Sequence, residues 1–302
     1  MTAAARHAAP AGGVPVNLRR ASLSARRRTT DKAVNVLIWL SVLIAVVPIA
    51  LVVYYVVAKG AQMISWEFLS EPTPRQLDKQ GGGIGPAIVG TLLMTGVASL
   101  LAIPLGVLGA IYLNEYGKQS ALARTVRLMS DVMTGVPSIV MGLFIYTAVV
   151  LTTEQSGLAG ALALACLMLP VVIRSSEEML RLVPDELRQA STALGARKWR
   201  TTLTVVLPAA ISGIASGSLL AIARAAGETA PLVLVIGLTQ RANWSLSGSN
   251  TALPVQIYRN ATEPFAAATD RAWGAALTLV ALVLITTLIG RLIAGRFAIK
   301  ER

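Results

Sequence analysis

The sequence is poor in the residues that most enzymes work with. One cysteine, Cys166, among 302 residues excludes an intrachain disulfide and a thiolate metal cluster. The single histidine, His7, lies in a polar N-terminal stretch, which leaves no His-based triad, no HExxH zinc site and no haem pair. No G-x-x-x-x-G-K-[ST] occurs, so the chain brings no P-loop of its own. There are accordingly no catalytic residues, metal ligands or cofactor site to nominate. Charge is scarce as well. Only 14% of residues are Asp, Glu, Lys or Arg, against roughly 25% in a soluble domain, while 54% are apolar and the mean hydropathy is +0.64. A soluble surface of that composition would expose large apolar patches, so lipid is the expected solvent.

What the chain has in quantity is apolar runs. Six of them, at 33–58, 86–113, 132–152, 157–173, 208–237 and 273–294, approach or exceed the length that crosses ~30 Å of hydrocarbon. The expected fold class is therefore all-α, a polytopic membrane protein with six transmembrane helices. Pro48, Pro104 and Pro137 fall inside runs, where neighbouring helices can satisfy the freed carbonyls. The fifth run is long for one straight helix, and Gly227 and Pro231 interrupt it; a bent or broken segment is expected there. The expected organisation is a disordered basic tail at 1–32 and a transmembrane domain at 33–302 with its core at 86–295. The first apolar run is too long for a signal peptide.

The excess of basic residues needs a separate account, because a net charge of +12 would also suit a nucleic-acid binder. With the N-terminus placed in the cytoplasm, the inside segments 1–32, 114–131, 174–207 and 291–302 hold twenty Lys and Arg. The outside segments 59–85, 153–156 and 238–272 hold six. That asymmetry follows the positive-inside rule for six helices with both termini in the cytoplasm. The charge reads as topology, and no nucleic-acid partner is expected. One basic residue, Arg224, is left over inside a span.

Arg224 belongs to the stretch Ala223-Arg224-Ala225-Ala226-Gly227-Glu228-Thr229-Ala230-Pro231. A charge deep in a span costs about 2.5–3.5 kcal/mol on insertion scales, so it is rarely placed there without a use. The i, i+4 spacing of Arg224 and Glu228 puts both on one helix face, where they can pair. A passing anion could compete with Glu228 for the planar guanidinium, which suits bidentate contact with an oxyanion; an ion pair that fixes helix packing is the plainer alternative. Arg174, at the inner end of the fourth run, has two readings. It either snorkels to the interface or joins the same path, with Glu177 or Glu178 as its partner.

The segment 174–207 carries a different kind of signal. Pro184-Asp185-Glu186-Leu187-Arg188-Gln189-Ala190-Ser191 reads as a short helix with acids in its first turn, and Gly195 permits a sharp turn after it. Leu187, Ala190, Ser191 and Leu194 fall at helical spacing and would form one compact face, suited to a groove in another protein. Gly213 and Gly217 permit close helix contact. The run Gly81 to Gly85 resembles a phosphate-cradling loop in composition only, since it precedes a membrane helix on the outer side.

Several stretches of the sequence carry a family resemblance. Gln189-Ala190-Ser191, Gly195 four residues after Ser191, and Val205-Val206-Leu207-Pro208 stand in the register of the signature loop of ABC-importer permeases, with Gln189 for the usual Glu and Ser191 for the usual Ala. Arg-Ala-x-Gly-Glu at Arg224–Glu228 is similar to the oxyanion importers. Its extension through Thr229-Ala230-Pro231-Leu232 resembles the phosphate branch, the PstA-type permeases. So do Gly81–Thr91, Gly135-Val136-Pro137-Ser138-Ile139-Val140-Met141-Gly142, and Pro170–Arg174 followed by Glu178-Met179-Leu180. The match runs from about residue 34 to 295.

The resemblance implies the type I ABC-importer permease fold and a permease subunit for ATP-driven phosphate import in the cell membrane, with sulfate or molybdate as the alternative cargo. It implies that loop 174–207 seats in a cleft of an ATPase subunit, itself a homodimer, through Gln189, Ala190, Ser191, Gly195, Leu207 and Pro208. It further implies a second, PstC-type permease subunit, an extracytoplasmic phosphate-binding protein, and a substrate pathway past Arg224, Glu228 and Arg174.

Overall fold

Residues 25–74 and 76–297 are described in this computed structural model, and among them the secondary structure is entirely helical. The chain divides into two units, residues 1–54 and 55–302. The first holds most of α1 (Ala25–Gly60), whose apolar side chains are exposed on every face from Val34 to Tyr54, as in a helix solvated by lipid. Residues 25–32 form the start of α1; the rest of the expected tail, 1–24, lies outside the described residues.

The second unit continues through α2 (Trp66–Ser70), α3 (Gly85–Gly117), α4 (Ala121–Gly135), α5 (Ser138–Thr153) and α6 (Gly157–Arg181). There follow α7 (Asp185–Ala193), α8 (Lys198–Ala226), α9 (Ala230–Val235), α10 (Leu253–Thr262) and α11 (Ala266–Phe297). Five helices, α1, α3, α6, α8 and α11, are long and apolar enough to cross a membrane. The run expected at 132–152 is divided between α4 and α5, which are apolar enough for a sixth span only when taken together and are bent by 107° where they meet. Pro137 explains the break: the ring disfavours helical backbone at the residue before it, and Val136 is extended (φ −70°, ψ 131°).

The fifth run is broken as expected. α8 stops at Ala226, Gly227 to Thr229 leave the helix, and Pro231 lies in the first turn of α9. The two breaks are coupled in space, since α5 packs on α9 with the backbone of Gly142 against Pro231. Two stretches far apart in sequence thus form one contact between broken helices. α8 also begins earlier than the sequence indicates, at Lys198, and widens to a π-helical turn over Thr202–Val206 just before Pro208. That wider register absorbs a ring that would otherwise collide with the carbonyl four residues back.

The interior is built from small residues. Ala98 and Ala102 of α3, Ala163, Leu164, Met168 and Val172 of α6, and Ala221 and Ala225 of α8 are buried together. Without a hydrophobic drive between helices in lipid, such side chains let backbones approach and gain dispersion contacts. Gly213 and Gly217 of α8 lie directly over Met179 and Ser175 of α6, where any Cβ would overlap those side chains. The close helix contact expected of that spacing is the α6–α8 seam.

Arg271, near the start of α11, is among the largest fully buried side chains. Its guanidinium donates to the carbonyls of Lys79 at 2.6 Å, Leu77 at 2.5 Å and Gly81 at 3.3 Å, pinning the loop between α2 and α3. The same loop is tied from its glycine run. The N–H groups of Gly83, Ile84 and Gly85 donate to the carbonyls of Pro72, Phe68 and Glu71, so those three donors are spent on the fold. Replacing Arg271 with Met should cost about 2–4 kcal/mol, because three carbonyls lose a charged donor. Thermal unfolding of the detergent-solubilised protein, with protease nicking of residues 71–85, will show the loss; Lys, unable to span three carbonyls, should rescue it poorly.

Candidate functional site

Arg224 sits in the last turn of α8, immediately before the break, and Glu228 immediately after Gly227. The backbone closes there with Gly227 N–H donating to Arg224 O and Glu228 N–H to Ala225 O. The side chains pair loosely, Arg224 Nε to Glu228 Oε1 at 3.5 Å, with the arginine side chain 67% exposed and the glutamate 18%. Leu167, Met168 and Val171 of α6 form the wall behind them. The guanidinium therefore keeps an open face: no other ion pair or hydrogen bond engages it among the described residues. An exposed arginine at a break among apolar helices of membrane-spanning length must face a cavity or a partner, because hydrocarbon cannot solvate it.

Arg174 lies on α6 seven residues after Leu167, about 10 Å farther along the axis. Leu167, Val171 and Arg174 recur at helical spacing, so Arg174 shares the face that backs Arg224. Its partners are Asp131 of α4 at 2.8 Å and Glu178 at 3.5 Å, all three side chains about half exposed. Of the two acids offered by the sequence, Glu178 is therefore its partner and Glu177 is not. Glu177 is buried and receives Arg127 Nε at 2.7 Å and Arg181 at 2.6 Å. Arg127 also donates to the carbonyls of Leu113 and Lys118, which ties α4 and the end of α3 to α6.

The short helix expected in loop 174–207 is α7. Asp185 and Glu186 occupy its first turn, where they complement the helix dipole. It ends in a Schellman motif: Gly195 N–H donates to Thr192 O and Ala196 N–H to Ser191 O, with Gly195 at φ +82°. No atom lies within 4 Å of the Cβ position at Gly195, so backbone conformation alone calls for glycine there. Gln189, Ala190, Leu187 and Leu194 are exposed, Leu194 to 89%. Ser191 differs: its hydroxyl turns inward and shares a hydrogen bond of 2.9 Å with Thr201 at the start of α8. Leu207 and Pro208 are part of α8, directly after the π-helical turn that packs against α7.

α7 is held by an interaction the sequence gave no local sign of. Arg188 donates to Glu115 at 3.0 Å, to the carbonyls of Leu180 and Val183, and to Asp185. Glu115 lies in the π-helical end of α3 and is nearly fully buried. Seventy-three residues separate the pair, so no periodicity could have joined them. A buried pair broken by removing one partner costs about 3–5 kcal/mol. Arg188→Met should therefore free α7: its amides will exchange hydrogen much faster while those of α6 keep their protection. Gly195→Ala should weaken the same end by about 1 kcal/mol through its left-handed backbone.

The sequence matches the family described as "Binding-protein-dependent transport system inner membrane component" over residues 102–299. It is 42% identical over 288 residues to the "Phosphate transport system permease protein PstA 1" of Mycobacterium tuberculosis, covering 93% of both chains. It is 44% identical to the protein named PstA of Mycobacterium leprae over 288 residues, again 93% of each. The PstA of Yersinia pestis is 41% identical over 278 residues, 92% of this chain and 94% of that one. Among solved structures, a bacterial alginate ABC transporter aligns with a TM-score of 0.65 at 12% identity, covering 90% of this chain and 97% of that one. The MetNI methionine ABC transporter in an inward-facing form aligns at 0.59 and 23% identity, covering 71% and 95%. At those identities the structural likeness speaks for the fold.

Proposed function

Because the chain belongs to the binding-protein-dependent transport system inner membrane component family, a family of multi-pass membrane proteins, we propose that it is the permease subunit of an ATP-driven importer of inorganic phosphate. The observation that carries this reading is Arg224, a guanidinium two-thirds exposed at a helix break among membrane-spanning helices and only loosely held by Glu228. The cargo follows from the relatives named as phosphate permeases and from the fit of a planar, forked donor to a tetrahedral oxyanion.

Moving a phosphate dianion into the cell opposes an inside-negative potential, at about 2.3 kcal/mol per charge per 100 mV. The chain has no P-loop, so the energy comes from an ATPase subunit, acting as a homodimer and seated on the exposed face of α7 with Gln189, Ala190 and Gly195. Leu207 and Pro208 then belong to the stem through which α7 pulls on α8, and Ser191 holds α7 to that stem. Arg188 and Glu115 make α7 a rigid lever on α3 and α6. A second, homologous permease of PstC type completes the cavity that Arg224 and Arg174 face, and an extracytoplasmic phosphate-binding protein delivers the anion. The twenty-to-six distribution of basic residues supports cytoplasmic termini, with residues 33–302 as the transmembrane domain behind a basic tail.

Arg224 takes the anion as a transient bidentate ligand, and Glu228 limits its stay by recovering the guanidinium once the anion leaves. Arg174, already paired with Asp131 and Glu178, is the second positive station on the inward side. Replacing Arg224 with Ala in proteoliposomes holding the full assembly should lower phosphate uptake about 10- to 100-fold, the worth of two charge-assisted hydrogen bonds. Arg224→Lys should be intermediate. Undiminished uptake by a normally assembled Arg224→Ala complex would overturn the pathway role.

A further inference from the structure

At the end of α6 opposite to α7, a cavity of about 530 Å³ opens between the α2–α3 loop, the loop after α9, and α10. Its position is fixed by backbone contacts at the start of α6, where Gly157 and Leu158 donate to the carbonyls of Gly248 and Leu246. Two arginines line it: Arg259, partly buried on α10, and Arg241, exposed on the loop after α9. No carboxylate lines it, and neither guanidinium has an ion pair among the described residues. A cavity walled by two uncompensated cations holds a positive potential and concentrates anions.

Two residues of its lining, buried just beneath the cavity surface, carry unspent hydrogen-bonding capacity. Asn260 is fully buried, and neither its amide nitrogen nor its amide oxygen has a partner. The hydroxyl of Thr251, also buried, has none. Buried polar atoms in that state call for a ligand or bound water. Their neighbour Gln256 is held in place, donating to Thr73 Oγ1 at 2.9 Å, while Thr73 donates to the carbonyl of Gly83. Gln256, Arg259 and Asn260 recur at i, i+3 and i+4, so α10 turns all three to one side.

We infer that this cavity is an oxyanion-binding station at the outer mouth of the permease, built for a tetrahedral oxyanion that retains a proton, of the phosphate class. Arg259, Arg241, Thr251 and the Asn260 amide nitrogen supply donors. The Asn260 amide oxygen, an acceptor, suits a ligand that carries a hydroxyl; fully ionised sulfate offers it nothing. The outward placement rests on the functional reading above, whereas the oxyanion chemistry rests on the cavity walls alone. An anion released by a binding protein would meet this station before Arg224.

The test uses the purified full assembly in phospholipid-free detergent, with inorganic phosphate as the probe. Arginine modification by 4-hydroxyphenylglyoxal is read peptide by peptide in the mass spectrometer. Phosphate should slow modification of Arg259 roughly tenfold, the worth of one charge-assisted contact, and sulfate or chloride at equal ionic strength should not. Arg241→Gln, at the exposed rim, should raise the protecting phosphate concentration roughly tenfold; Asn260→Leu should abolish the preference over sulfate. Arg224→Ala should keep the protection, which separates this station from the pathway residue whatever uptake shows. Absent protection, equal protection by sulfate or chloride, protection that needs added phospholipid, or its loss in Arg224→Ala would each overturn the inference.

Discussion

A guanidinium halfway along membrane-spanning helices cannot be left facing hydrocarbon, and much of this architecture follows from where the chain puts one. Arg224 could have been neutralised by a tight buried carboxylate. Instead Glu228 sits across a helix break at 3.5 Å, close enough to offset the charge and too far to saturate it. The break itself frees backbone groups that lipid would not tolerate. Beyond the break, α9 packs on α5, which is the second half of another broken segment. Two defects that would each be costly alone are placed against one another, and the charge sits at their edge. Discontinuous helices that meet in this way are the usual means by which transporters present polar groups at membrane depth.

A second constraint acts where α6 runs on into α7. A short helix seated between two loops would rotate freely if nothing else held it. Arg188 removes that freedom by bridging Glu115, two carbonyls at the end of α6, and the first turn of its own helix. Glu177 does the same for α4 through Arg127. Both carboxylates are nearly buried and both are satisfied by arginine, whose fork can hold several acceptors at once. The exposed apolar residues Leu187 and Leu194 therefore project from a fixed platform.

Much of this was legible in sequence. The apolar runs mark the five helices long enough to cross a membrane and fall on the bent pair α4–α5, the Arg224–Glu228 spacing marks the charged pair, and the acids, the small face and Gly195 mark α7 and its end. What was hidden falls into two kinds. Pairings across long separations, Arg188 with Glu115 and Arg127 with Glu177, have no local period to betray them. The bend at Val136–Pro137 was hidden for a different reason. A proline inside an apolar run is compatible with both a continuous and a broken helix, as Pro104 and Pro137 show in turn. In the second case Val136 is extended and α5 packs against α9. Ser191 illustrates a smaller limit: its spacing placed it on the outer face of α7, but its hydroxyl found Thr201 and turned inward.

The basic residues reward the same scrutiny. A rule that sorts charge by side treats the few cations on the outer side as residue left over from an imperfect bias. Three of the six have identifiable surroundings here. Arg271 is buried and holds the α2–α3 loop by its carbonyls, so it acts as a hydrogen-bond hub whose charge is screened by backbone dipoles. Arg259 and Arg241 keep their charge unspent around a cavity with no acid in its wall among the described residues. A cation that resists the positive-inside bias carries an insertion cost that a neutral residue would avoid. Its position is thus more informative than that of a cation that follows the bias, and in this chain three such cations gather around the α2–α3 loop and the cavity beside it.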